Sequence, residues 1–185
     1  MRDITVTTGF SIMPNYYLYL CSIYDTNHQK SSIFPNLQLS PDSLLPYSTF
    51  KDLIHKELSE FVKMTEWIDA EVLASPASYF KKFFMTNTSG DISFELTWKL
   101  FSSWWQTSSI AYEMASDELS EKIYTEIKQQ DINNIDIFVD VVYRGLQDYL
   151  KPVAKGKHIL IPIEDLFRGR SHQTLILISK MDWYM

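Results

Sequence analysis

Glycine, cysteine and histidine are scarce in this chain: 185 residues hold 5 Gly, one Cys and 4 His. Few glycines leave little material for loops that cradle phosphates, and no Walker loop, G-x-G-x-x-G, G-x-S-x-G or H-E-x-x-H run occurs. None of the histidines, at 28, 55, 158 and 172, is followed three or four residues later by a second ligand of the kind zinc sites use. No metal and no cofactor is therefore expected. Cys21 alone cannot close an intrachain disulfide, which fits a reducing compartment and a cytoplasmic location. The first 25 residues lack a continuous apolar core and do not read as a secretory leader. No apolar run approaches the roughly 20 residues that span a bilayer, so no membrane association is expected.

What is abundant is the aromatic ring: 11 Phe, 11 Tyr and 5 Trp. Large rings build cores and protein-binding surfaces alike. A chain of this length suits a single domain, 1–185, and can bury about 70% of its unfolded surface without staples. The net charge of −6 is uneven. Residues 1–150 hold 11 Lys/Arg against 20 Asp/Glu, and residues 151–185 hold 6 against 3. An acidic body disfavours nucleic acid, whose phosphates call for clustered cations. It suits a basic protein partner, because opposite charge steers encounter.

Patterning predicts strands at both ends. Ile4, Val6, Phe10 and Ile12 punctuate a Thr-rich start, and Tyr16 to Tyr24 is β-favouring and mostly apolar. Residues 25–48, with three prolines, read as a long connection. A helix is predicted from the Ser48-Thr49 capping signal to about Leu73. Phe50, Leu53, Ile54, Leu58, Phe61, Val62, Thr65 and Ile68 lie on its apolar face. Ser75-Pro76 opens a short helix carrying Tyr79, Phe80, Phe83 and Phe84. Residues 91–105 fit two periods: Ile92, Phe94, Leu96, Trp98 and Leu100 alternate, whereas Phe94, Trp98, Phe101, Trp104 and Trp105 share a helical face. The length of the pattern favours helix. Further helices are expected over 107–115, from Ser116, and over 131–150. Residues 158–163 and 174–179 read as C-terminal strands. The expected class is α+β, with a helical middle, about residues 49–150, packed on a small, mainly antiparallel sheet built from N- and C-terminal strands.

Candidate functional residues are few. Trp104, Trp105 and Tyr112 belong to the densest aromatic patch and are the expected partner anchors, since Trp, Tyr and Arg dominate binding hot spots. Arg168, Arg170 and His172 form the one dense cationic segment, suited to an anion or an acidic group. Asp136 and Asp140, four apart, are a weak alternative metal pair. The function expected from these features is an acidic cytosolic protein-binding protein acting by stoichiometric association, most simply an inhibitor or immunity-type protein that neutralises a toxin or enzyme. A secretion chaperone or adaptor holding a client segment is one alternative. A metal-assisted phosphoester-acting enzyme, with Asp136, Asp140, Arg168 and Arg170 in one cleft, is the other.

Overall fold

The structure, a computed structural model, describes residues 4–24, 34–64, 66–129, 135–142 and 158–162. In chain order these form β1 (Ile4–Gly9), α1 (Ile12–Tyr24), α2 (Tyr47–Phe61), α3 (Asp69–Ala74), α4 (Pro76–Phe80), a 3-10 turn (Lys81–Phe83), α5 (Thr88–Gln129), β2 (Ile135–Val142) and β3 (His158–Pro162).

The class is α+β with a helical middle, but the sheet is parallel throughout, in the order β1-β2-β3. Ile4 pairs with Ile135 and Gly9 with Asp140; Phe138 pairs with His158 and Val142 with Pro162. The expected antiparallel sheet is thereby corrected. The reason is topological. All five helices fall between β1 and β2, so the chain returns to the starting edge before it pairs again, which makes a parallel crossover. The expected helix over 131–150 is likewise corrected: its centre is β2, where Val139, Val141 and Val142 are fully buried. A β-branched run with little exposed polarity is what a buried parallel strand needs. The expected strand over 174–179 lies outside the described residues.

A third correction concerns residues 16–24, expected as a strand. They belong to α1, and every residue from Ile12 to Ile23 is buried. A helix buried on all sides shows no amphipathic period, so its sequence reads as a plain apolar run. Pro14 sits in the first turn, where its missing N–H is not needed. Around α1 the rings close in. Tyr16 meets Phe80, Trp98 and Phe101 at centroid distances of 4.2, 5.4 and 4.9 Å. Tyr17 meets Phe83 at 5.3 Å, and Tyr19 stacks on Phe101 at 5.5 Å. Each such buried ring stabilises by roughly 1.5–3 kcal/mol. Burial pushes the Tyr19 phenol up to about 12 and the Tyr16 phenol well above its usual value.

Of the expected apolar face, Phe50, Ile54, Leu58 and Phe61 are buried on α2 at turns of three and four residues and Leu53 is partly buried, whereas Ile68 falls beyond the helix end and Thr65 lies outside the described residues. The helix ends at Phe61, short of Leu73, and begins at Tyr47 after Pro46, so Ser48 and Thr49 lie inside it without capping bonds. The helices expected over 91–105, 107–115 and from Ser116 are one continuous α5 of 42 residues. Asn87 supports its start, accepting the Gly90 N–H at 2.6 Å. Gly90 is required there, because a Cβ would overlap the Met85 carbonyl. The first half of α5 packs on α1 through Trp98 and Phe101, while Phe94 meets Phe84 at 5.6 Å. The second half crosses β1, where the Thr8 and Ser120 hydroxyls meet at 2.5 Å and Phe10 rests on Tyr112.

Candidate functional site

Two places in the fold concentrate polar chemistry. The first is the junction between β1 and α1, at the carboxyl ends of the parallel strands. Open parallel sheets commonly bind ligands there, and a helix N-terminus presents free amides. Here the chain supplies its own anions. Asp140, fully buried on β2, accepts the Ser11 amide at 3.0 Å and the Ser11 hydroxyl at 2.6 Å. Asp69, at the start of α3, accepts the Ile12 amide through both carboxylate oxygens at 3.1 Å. Asn15 donates to the carbonyls of Ser11 at 3.0 Å and Val141 at 3.2 Å. Burial drives the Asp69 carboxyl up to about 7, the charge of Asp140 adds to the rise, and the Ile12 amide opposes it. Two acids therefore hold the first turn of α1 against β2 and α3. Trp67 seals the same edge: its ring lies against Gly9 and meets Phe138 edge-on at 5.9 Å.

The second place is open. A groove of about 750 Å³ runs along the first turns of α5, lined by Lys81, Asp91, Ile92, Glu95, Leu96, Trp98, Lys99 and Ser102. The inner face of α5 here carries Phe94, Thr97 and Phe101, all buried. The outer face leaves Ile92 63% and Leu96 44% exposed, a large share for branched apolar side chains. Lys81 and Asp91 close a 3.0 Å ion pair at one rim. Glu95 and Lys99, one turn apart, have no ion-pair partner among the described residues. Trp98 is half-buried and joins the groove to the core through Tyr16 and Phe80, each at 5.4 Å.

The expected anchors fall elsewhere. Trp105 and Tyr112 are 7% and 8% exposed and belong to the hydrophobic core. Trp104 is partly buried, packed at 5.0 Å on Phe34. Arg168, Arg170 and His172 lie outside the described residues. Asp140 is committed to Ser11, and the side chain of Asp136 lies outside the described set. Among the described residues no group of three or more His, Cys, Asp or Glu could hold a metal ion. Among the same residues no helix is long and apolar enough to cross a membrane.

Ile92, Leu96, Lys81 and Lys99 were missed from the sequence. A signal existed: once 91–105 is helical, Ile92 and Leu96 fall off the face that carries Phe94 and Phe101. No protein-family model matches this chain, no curated protein is significantly similar to it, and no solved structure matches it.

Proposed function

We propose that this chain is a cytoplasmic protein-binding protein that acts by stoichiometric association, of the inhibitor or immunity type, with the α5 groove as its docking face. The observation that carries the reading is the pair of exposed apolar side chains, Ile92 and Leu96, on a helix whose opposite face is locked into the core. A docking surface needs apolar area that water leaves readily and a scaffold that does not reorganise. Trp98 in the groove lining supplies a ring anchor of the kind that dominates interfaces. The net charge of −6 favours a basic partner at the encounter stage.

The β1–α1 junction gives the enzyme alternative no support. Its two described carboxylates are occupied by backbone amides and a serine hydroxyl of the same chain.

The test is a partner captured at 1:1 stoichiometry from the native cells, purified, and titrated with the wild-type chain and with Leu96→Asp. Binding that weakens at least about 100-fold in the variant, with unchanged helicity, supports the reading. Equal binding of both chains refutes it.

A further inference from the structure

Two side chains, two residues apart, fasten the start of α3 over the carboxyl end of the sheet. Trp67 lays the far edge of its ring on Gly9, the last residue of β1, so closely that a Cβ there would overlap it. The same ring meets Phe138 of β2. Asp69 takes the amide of Ile12, the first residue of α1, on both carboxylate oxygens at 3.1 Å. Just beyond them Val72, fully buried, roots α3 in the core. The hold on residues 66–71 is otherwise thin. Glu66, Ala70 and Glu71 are exposed, and no side chain caps α3.

The fastening at Asp69 depends on its charge. Facing it from β2 is Asp140, fully buried and bonded to Ser11. β1 and the first turn of α1 bring no ionisable side chain. On α3 itself, Glu71 is turned to Tyr79 of α4 at 3.3 Å. Among the described residues Asp69 has no ion-pair partner. As a neutral acid it keeps the Ile12 amide on its carbonyl oxygen and sets no charge beside Asp140. Ionised, it places a second negative charge in a largely buried setting, and water solvates that charge better. Burial, with Asp140 adding, accordingly holds its carboxyl up at about 7. We propose that residues 66–71 are a pH-operated strap across the carboxyl end of the parallel sheet, shut while Asp69 is neutral and released as it ionises. The preference for the shut strap is full below about pH 4 and is lost as pH rises through 7. Release frees the Ile12 amide and lifts Trp67 from Gly9 and Phe138. It thereby uncovers the end of the sheet at which open parallel folds commonly bind ligands. Asp140 keeps Ser11, and Val72 confines the movement to the strap. The device is separate from the α5 groove, since none of its residues lines that groove.

Amide hydrogen exchange on the full chain, read residue by residue by NMR and corrected for the intrinsic rate at each pH, measures the opening. Two amides report the strap: Ile12, bonded to Asp69, and Val72, bonded to the Ile68 carbonyl at 3.0 Å. Leu20, inside buried α1, reports unfolding of the whole chain. Protection of Ile12 and Val72 is expected to fall at least about fivefold between pH 5 and 8, and to lie below that of Leu20 throughout. In Asp69→Asn both are expected to stay flat over the same range. Wild-type protection of Ile12 and Val72 that does not change with pH overturns the proposal. So does protection equal to that of Leu20 at every pH, because only global unfolding would then expose them. A fall that survives in Asp69→Asn overturns it as well. The first two readings come from the wild type, so the test holds whatever the stability of the variant.

Discussion

The β1–α1 junction and the α5 groove use the same kinds of residue to opposite ends. At the junction, Asp140 accepts from Ser11, Asp69 accepts from the Ile12 amide and Asn15 donates to the Val141 carbonyl, so these groups are satisfied across elements far apart in sequence. In the groove, Glu95 and Lys99 stand one turn apart beside exposed Leu96 and leave their charges unpaired. Buried polarity that is satisfied internally specifies the fold, because each unsatisfied group there would cost about 1–3 kcal/mol. Solvated polarity beside apolar surface costs the fold nothing and stays available to a partner. The two regions should therefore respond to mutation in opposite ways, one in stability and the other in binding.

Removing the junction acid that serves two donors should have the largest effect. Asp140→Ala strands the Ser11 amide and hydroxyl in a buried site and is expected to cost about 3 kcal/mol in urea denaturation, while Asp140→Asn, which keeps an acceptor, costs about 1 kcal/mol. A loss below about 0.5 kcal/mol for the alanine variant would show that the junction does not hold α1. At the head of the groove helix, Gly90→Ala forces a methyl into the Met85 carbonyl and is expected to cost about 2 kcal/mol by the same measurement.

The junction also carries a pH signature. Asp69 titrates near 7 in the folded chain, above the ordinary 3.8. A raised carboxyl pKa means that ionisation opposes folding: the contribution is full below about pH 4 and is lost as pH rises through 7. Stability is expected to fall by at least about 1 kcal/mol between pH 5 and 8, after allowance for partial exposure, and Asp69→Asn should flatten that slope. A wild type whose stability rises over the same window would reverse the assignment. Groove substitutions should have the smallest effect on stability. Ile92→Ser and Lys99→Glu are expected to stay within about 0.5 kcal/mol of wild type, because neither side chain packs into the core.

The same contrast explains what the sequence disclosed. The one-sided helix α2 was legible because Phe50, Ile54, Leu58 and Phe61 repeat against a polar background. The helicity of 91–105 was legible because Phe94, Phe101 and Trp105 extend its inner stripe well past strand length. α1 and β2 were not. Burial of α1 on every side erases the period that separates helix from strand, so Tyr16 to Tyr24 read as β, whereas Ile135, Phe138, Val139 and Val142 of β2 also fit a helical spacing and read as helix. A helix over 135–142 leaves only the terminal strands to pair, hence the antiparallel expectation, whereas β2 is the middle strand of a parallel sheet. The candidate site suffered from a related ambiguity. Trp104, Trp105 and Tyr112 drew notice by size, yet size is what a core uses. Ile92 and Leu96 are informative only because of the face they occupy.

Calorimetric titration of the purified 1:1 partner with wild-type chain and with Leu96→Asp, alongside urea denaturation of both, tests the central claim most directly. The account predicts a dissociation constant weakened at least about 100-fold in the variant, with stability within about 0.5 kcal/mol of wild type. An unchanged dissociation constant, with the variant equally folded, would contradict it.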